Sequence, residues 1–410
     1  MLKHRIRQTN NFRQILVCGF VALVLQMPAV TLAQSIGADA AAVDEDEKRD
    51  TAALVEEWQG PTLRTRARIF ASFESIEKPD LTSANSRQND TYFRRADITI
   101  RGSLTKKLDY RLKTEFRDGE LDIRDAYFSY DAGLVTVLAG LLDPLDELMT
   151  PAYREYNEVS TVEGFPPSNQ LGIGLLHEAE YWTFYVAALK HTIDKRRFEK
   201  AGTVYSTRFT IAPPVPERYL LHIGAYASSR KADNGEGLFS YSARSVLRTG
   251  KRLVDTGAVA DKEQLFGVEL AGSIGSFSLE SQCAVIRASL PSAVQSDSYL
   301  NGCYVAGIWN ITGEMRNYSN GSFSLINVDR SVFKGGPGTW QIGLRHEIID
   351  LSDGAIQGGR QDTSVFALNW YLSNQFWISG NYSRAKFNNS AYRGEEVDGL
   401  GFRLQYLVEW

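Results

Sequence analysis

The 410-residue chain predicts an all-β fold, a transmembrane antiparallel β-barrel of about sixteen strands; three observations lead there. The first is the stretch from Gly399 to Trp410. Leu400, Phe402, Leu404, Tyr406, Val408 and Trp410 share one face of it, and Gly401, Arg403, Gln405 and Glu409 share the other. Period-2 alternation marks a strand with one apolar and one wet surface. A terminal strand leaves an exposed edge unless its sheet closes on itself, and a closed sheet that is apolar outside and polar inside suits an outer membrane. A soluble β-sandwich can also end this way. The second observation is a secretory leader at residues 1–33: Lys3, Arg5, Arg7 and Arg13 precede an apolar run, Ile15 to Leu25, and a small-residue stretch ending at Ala33. The third is that no later window approaches the 18 or more apolar residues of a membrane helix. Instead 34 Gly, 19 Tyr, 20 Phe and 7 Trp accompany only 12 Pro, as strands half in lipid and half in water require.

Loss of the leader removes four cations and takes the formal net charge from −4 to about −8. No nucleic-acid partner is expected of such a chain. Residues 34–62 form an acidic periplasmic extension with the run Asp44-Glu45-Asp46-Glu47. From there residues 63–410 read as one barrel domain, undivided by any Pro- or Ser-rich linker. Its first hairpin runs from Leu63 to Ile76 and returns from Tyr92 to Leu104. Further strands follow at Leu108 to Phe116, Leu121 to Tyr130, Trp182 to Leu189, Tyr205 to Ile211, Tyr219 to Ala227 and Leu265 to Gly272. The last are Phe277 to Ala288, Leu300 to Ile311, Trp340 to Ile349, Thr363 to Tyr371, Phe376 to Phe387 and the terminal strand. Short links such as Asp131-Ala132-Gly133 and Ser373-Asn374-Gln375 read as periplasmic turns. Lys78 to Asn89, Ser229 to Glu263 and Ser352 to Asp362 read as outer loops. Cys283 and Cys303 flank a turn and are either a cross-strand disulfide or two small apolar residues.

Several short pieces, in order along the chain, resemble the phosphate-selective porin O/P family of outer-membrane channels. They are Phe93-Arg94-Arg95-Ala96, Asp125-Ala126-Tyr127, Gly140 with Pro144, Phe165-Pro166-Pro167 with Gly172, and Leu253-Val254-Asp255-Thr256-Gly257. Thr312-Gly313-Glu314 with Arg316 and Tyr318, Gly358-Gly359 and Asn369-Trp370-Tyr371 complete the set. The resemblance implies a sixteen-stranded barrel assembling as a homotrimer, with small anions such as phosphate as solutes. It also implies that the long segment from Leu141 to Gln170 is the loop that folds into the lumen, and that a periplasmic segment over Thr312 to Gly338 can fold back into the channel.

Assigning the apolar set of each strand to lipid puts Arg64, Arg66, Arg68, Arg95, Arg101, Arg111, Lys113 and Arg117 on the lumen face. Asp97, Asp109 and Glu115 oppose them. Cations stacked on one wall lower the energy of an anion and give it successive sites; equally, they can pair with wall carboxylates and hold the strands in register. The constriction segment carries Asp143, Asp146, Glu147, Glu155, Glu158 and Glu163 against the one cation Arg154. The family commonly has a Lys near the position of Asp143 and an Arg near Gln170, so this departure puts strict phosphate selectivity in question and raises a general-diffusion eyelet, acidic loop facing basic wall. Some of those acids could instead be solvated at the loop ends. Arg316, Arg330 and Lys334 are the candidate exit-side contacts. Trp340, Trp370, Tyr371, Phe376, Trp377, Tyr382, Tyr406 and Trp410 sit near strand ends as an interfacial girdle or as sugar-stacking platforms.

His177, His191, His222 and His346 show no metal-ligand spacing, and no catalytic motif of the common kinds occurs. No enzyme, cofactor or metal is expected. The reading is a passive porin in contact with outer-membrane lipid; a secreted soluble carbohydrate-binding β-protein is the reading of a different class.

Overall fold

Alternation along the chain becomes twenty strands among the described residues of the computed structural model. They are β1 (Arg64–Glu77), β2 (Arg87–Thr105), β3 (Leu108–Arg117), β4 (Glu120–Asp131), β5 (Thr136–Leu142), β6 (Gln170–Glu178), β7 (Trp182–Lys190), β8 (Thr203–Ile211), β9 (Tyr219–Lys231) and β10 (Phe239–Arg244). Then follow β11 (Arg252–Ala260), β12 (Lys262–Ile274), β13 (Phe277–Ser289), β14 (Ser298–Asn310), β15 (Tyr318–Ser319), β16 (Ser322–Phe323), β17 (Thr339–Asp353), β18 (Ile356–Tyr371), β19 (Phe376–Asn388) and β20 (Glu396–Glu409). The structure describes residues 60–78, 86–117, 120–143, 156–157, 160–162, 165–167, 169–190, 202–232, 238–291, 296–324, 326–389 and 392–410. The leader and the extension up to residue 59 lie outside them.

Sixteen strands, all but β10, β11, β15 and β16, form one closed barrel in sequence order. Closure comes from β1 and β20, antiparallel from Arg66↔Glu409 to Glu77↔Asp398. Every barrel strand therefore has a partner on both sides, and the terminal edge is satisfied. The links at 106–107, 132–135, 179–181, 212–218, 275–276 and 372–375 lie on the side where β1 begins and β20 ends; the strand ends Leu142 and Gln170, Lys190 and Thr203, Lys231 and Lys262, Ser289 and Ser298, and Asn388 and Glu396 lie on the other. Short turns on one side and long links on the other give the periplasmic and outer ends. Exceptions are 311–338, long and on the periplasmic side, and 354–355, short and on the outer side.

Strand parity does the sorting. In β7, Thr183, Tyr185, Ala187 and Leu189 turn inward and are buried, while Trp182, Phe184 and Val186 turn outward and are exposed. The same holds around the wall: Ile69, Phe73, Ile98, Phe128, Ile173, Phe209, Phe266, Leu344, Phe402 and Leu404 are large apolar side chains open to the surroundings. In water a belt of that kind would be an aggregation surface; in hydrocarbon it is the expected outer face of a barrel.

Two sequence readings are corrected. The expected outer loop at Ser352 to Asp362 is instead a continuation of β17 and β18 paired across a tight turn, Asp353↔Ile356, with Gly354 at φ 56°. Beyond the hydrocarbon a strand can carry polar residues on both faces, so the alternation fades while the ladder continues. Tyr371 and Trp377 are not in the outer girdle. Both are on the lumen side and nearly fully buried, whereas Trp340 and Trp370 stack outside at 5.1 Å. A one-residue difference in parity separates them.

Cys283 and Cys303 are direct partners across β13 and β14 and form a disulfide. They sit on the outward face, out of step with the buried Gln282, Ala284, Gly302 and Tyr304. Opposite them, inside, the wall of β9 to β20 is rich in small and aliphatic residues. Gly267 shows why: a Cβ there would lie 2.0 Å from the Tyr226 ring, which packs flat on the backbone.

Candidate functional site

Among the described residues, the wall built by β1 to β4 and the end of β20 gathers the most cations. Its rows follow from register. Arg68, Asp97, Glu115 and Asp122 are successive partners across the four strands; toward the periplasm come Arg66, Thr99, Lys113 and Asp125, and then Arg64, Arg101, Arg111 and Tyr127. Two β-bulges add to this. Between Phe70 and Ala71 the partner strand jumps from Arg95 to Phe93, and between Lys113 and Thr114 it jumps from Asp125 to Ile123. A bulge places two residues opposite one and re-aims the side chains, so Arg94 beside Arg95, and Arg124 beside Asp125, reach the same interior face. Arg94 and Arg124 both act electrostatically on Glu115.

The pairing is many-to-few. Glu115 has Arg95 at 3.2 Å and Arg124 at 3.4 Å; Asp97 has Arg68 at 3.0 Å and Arg95 at 4.0 Å. Asp125 has Arg111 at 3.2 Å and Lys113 at 3.9 Å; Glu409 has Arg66 at 3.1 Å and Arg101 at 3.0 Å. Seven cations thus share four carboxylates. Arg64 and Arg94 join them, and so do the acids Asp109 and Asp122 and, toward the outer end of β1 and β2, Glu74 and Asp90. Depth grades it: the Arg68 side chain is 6% exposed, but Arg66, Arg101 and Arg111 are 24%, 18% and 31% exposed and reach open lumen.

The rest of the lumen is occupied by three inward segments. Described residues of the constriction segment bind the far wall. The Asn157 N–H donates to Asn381 Oδ1 at 2.6 Å, Arg403 donates to the Asn157 carbonyl, and Glu347 accepts from Ser160 Oγ and, at 2.8 Å, from the Thr161 N–H. Arg345 lies over the Tyr156 ring at 4.8 Å. Val162 and Phe165 fill the space that Gly302 leaves open, where a Cβ would meet them at 3.0 and 3.3 Å. At its other end Asn169 donates to Asp125 at 3.1 Å, touching the charged wall.

The outer segment 232–261 folds β10 and β11 into the lumen. Thr249 donates through N–H and Oγ1 to Glu74 at 2.9 and 2.8 Å, and Gln361 Nε2 donates to the Arg244 carbonyl at 2.8 Å. Phe239, Tyr241, Val246, Leu247 and Val254 form one apolar cluster with inward residues of β12 to β20. Burial raises the Tyr241 phenol above its ordinary value, so it stays neutral. The periplasmic segment 311–338 crosses below. Arg208 donates to the Gly321 carbonyl at 2.8 Å, and His222 meets Tyr318 at 2.5 Å and Glu269 at 3.1 Å. Burial raises the Tyr318 phenol too. Ile326 and Val328 pack on Phe70, Tyr371, Trp377 and Leu407 across the barrel.

The residues singled out from sequence are distributed as follows. Arg64, Arg66, Arg68, Arg95, Arg101, Arg111 and Lys113 share the wall just described; the Arg117 side chain lies outside the described residues. Of the constriction acids Asp143 is described, its carbonyl accepting from Tyr185 at 2.9 Å. Asp146, Glu147, Arg154, Glu155, Glu158 and Glu163 lie outside the described residues. Arg316 is buried, bonds Glu280 at 2.9 Å and stacks over Phe323, whereas Arg330 and Lys334 are exposed. Arg94, Arg124, Arg208, Arg345 and Arg403 were not singled out. The first two hide in bulges that alternation cannot register. The other three stand on the polar face of their own strands; parity places Arg403 there from sequence and would do the same for Arg208 and Arg345.

The model of the family described as phosphate-selective porin O and P matches residues 63–407. An uncharacterized protein of Caulobacter vibrioides is 25% identical over 325 residues, covering 75% of this chain and 65% of that protein, so the chain spans less than two thirds of that relative. Porin O of Pseudomonas aeruginosa is 22% identical over 380 residues, 80% of this chain and 84% of that one. Among solved structures, the outer-membrane channel DcaP of Acinetobacter baumannii superposes with TM-score 0.56 at 10% identity over 86% of this chain and 99% of that one. The trimer form of OmpT, an outer-membrane protein of Vibrio cholerae, does so at 0.51, 9% identity, 85% and 100%. At such identities the likeness is one of fold.

Proposed function

Because this chain belongs to the phosphate-selective porin O and P family, and is thus an outer-membrane porin for small hydrophilic solutes, we propose that its cationic wall makes it selective for small anions, phosphate among them. The observation that carries this reading is that seven lumen cations share four carboxylates. Pairing and ladder are then not alternatives. The carboxylates hold the arginines extended and in register, and the surplus positive charge draws anions from one row to the next. Family and fold are those of a channel rather than an enzyme.

Planar-bilayer recording tests it. In a potassium chloride gradient the reversal potential should have the sign of a chloride-preferring pore, and millimolar phosphate should reduce chloride current by occupying the same wall. A permeability ratio near one would instead make this a general-diffusion channel.

We also infer a homotrimer. The trimer form of one structural neighbour supports it, and so does β5. With seven residues it is shorter than the roughly 9–11 that a tilted strand needs to cross hydrocarbon, so a neighbouring protomer against β4 to β6 would cover what the strand does not. Unheated electrophoresis after cross-linking should show three chains; a single-chain band would remove the trimer and leave the selectivity reading standing.

A further inference from the structure

Near the periplasmic mouth, the lumen-facing aromatics Tyr371 and Trp377 belong to a register row that continues through Gln405 to Phe70, across β18, β19, β20 and β1. Ser379 stands at the next inward position of β19, opposite Arg403. Trp377, Ser379 and Gln405 are each at most 1% exposed. Among the described residues, Trp377 Nε1, Ser379 Oγ and both amide atoms of Gln405 meet no hydrogen-bond partner. What covers the row is apolar: Ile326 and Val328 of the periplasmic segment pack on Phe70, Tyr371, Trp377 and Leu407. The wall is able to satisfy its amides. One and two strands away, Gln341 donates to Asn310 Oδ1 at 2.9 Å and accepts from Asn369 Nδ2 at 2.8 Å and from the Tyr371 hydroxyl at 3.1 Å. From Trp377 onward the groups are left unmet under a greasy lid. Such groups cost stability and call for a cause. The lid itself is tied to the barrel by the Val328 N–H, which donates to Asn374 Oδ1 at 2.7 Å, and by the Ser331 hydroxyl at the Leu372 carbonyl, 3.1 Å away.

We propose that this row is a binding site for a neutral polyhydroxylated solute of monosaccharide size, which takes the seat of Ile326 and Val328 when residues 326–328 lift. A sugar ring has apolar C–H faces and a rim of hydroxyls that both donate and accept. The Tyr371 and Trp377 rings, 6.1 Å apart and 28° from parallel, with Phe70 edge-on to Trp377 at 6.4 Å, supply the apolar surface. Trp377 Nε1 and Gln405 Nε2 donate, Gln405 Oε1 accepts, and the Ser379 hydroxyl does both. That mixture selects against an anion, which only accepts and would face Gln405 Oε1 unpaired. The nearby cations are already engaged. Arg403 donates to Ser72 Oγ at 3.2 Å and to the Asn157 carbonyl, and Arg68, 5.9 Å from the Phe70 ring, is bonded to Asp97. The unmet groups are thus stability given up for binding, a trade that functional sites commonly make.

The test titrates the purified full chain in nonionic detergent with glucose or with triethylene glycol dimethyl ether, a solute of similar size that only accepts, and reads binding by saturation-transfer difference NMR. Wild type should bind glucose saturably and the ether about tenfold more weakly, since the ether forgoes roughly two neutral hydrogen bonds. Trp377→Phe with Gln405→Leu keeps the apolar packing and removes the polar groups. It should weaken glucose binding by about tenfold, for the same reason, and raise the temperature at which the barrel unfolds on gels, because groups that nothing satisfies are gone. Ile326→Ser with Val328→Ser loosens the lid and should tighten glucose binding. Reversal potentials in a potassium chloride gradient should be alike in all three proteins, which certifies folded channels and keeps this site apart from the charged wall. No saturable transfer to glucose, equal affinity for the ether, or unaltered glucose binding in Trp377→Phe with Gln405→Leu would overturn the proposal. So would a lower unfolding temperature in that variant, which would make Trp377 and Gln405 supports of the fold; the anion reading would stand in each case.

Discussion

Replacing Arg64, Arg101 and Arg111 together by Gln should lower the chloride-over-potassium permeability ratio by about an order of magnitude in dilute salt. These three occupy one register row in which no carboxylate stands, and Arg101 and Arg111 are direct cross-strand partners. Like charges placed opposite each other repel, and the carboxylates that relieve them, Glu409 and Asp125, come from the row above. Removing three cations therefore leaves Glu409 to Arg66 and Asp125 to Lys113, so the surplus positive charge of this wall is lost. At about 6 Å in water a unit charge is worth roughly 0.7 kcal/mol to a passing ion, about a threefold change in local concentration, and three act together. Raising the salt toward 1 M should shrink the effect, because screening then sets in within about 3 Å. Arg68→Gln is the contrasting variant. Its guanidinium is buried against Asp97, so it should cost barrel stability and move the ratio little. If the two variants change selectivity alike, charge on this wall acts only through the fold.

The barrel was legible because its rule is local. Inward and outward residues alternate one by one, and the faces assigned to Arg64, Arg66, Arg68, Arg101, Arg111 and Lys113 follow from counting along each strand. Counting fails wherever the backbone gains a residue. Arg94 and Arg124 enter the lumen through bulges, and nothing in Phe93-Arg94-Arg95 says which of two adjacent arginines turns inward, or that both do. It fails again outside the hydrocarbon, where Ser352 to Asp362 pairs as strand without any apolar face. Least legible is what fills the lumen. Val246, Leu247 and Val254 read as ordinary loop residues, and only the fold brings them onto Ile76, Ala367 and Val397. Small inward residues such as Gly302 and Gly401 were the available sign, since a wall that faces only water has no need of them.

That filling makes the second large effect. Glu347→Ala combined with Gly302→Leu should raise single-channel conductance well above wild type and replace steady openings by noisy ones. Glu347 accepts the Ser160 hydroxyl and the Thr161 N–H, contacts to a charged acceptor worth about 1.5–3 kcal/mol each, and its loss leaves both donors unmet. Gly302→Leu then removes the seat of Val162 and Phe165, for a Cβ there already lies 2.6 Å from Ile349. Burying such side chains contributes roughly 1.5–3 kcal/mol apiece, so the wedge and the lost acceptor together exceed what Asn381, Arg403 and Arg345 still supply at Asn157 and Tyr156. The segment should leave the far wall while the barrel ladder, which it does not join, stays intact; unheated migration on gels reads that directly. Anion preference should persist, because the cations stand on β1 to β4 and not on the released segment. Unchanged conductance in a folded double variant would mean that residues 156–165 do not line the narrowest part of the path, and the constriction would then have to be sought where 311–338 crosses the periplasmic mouth.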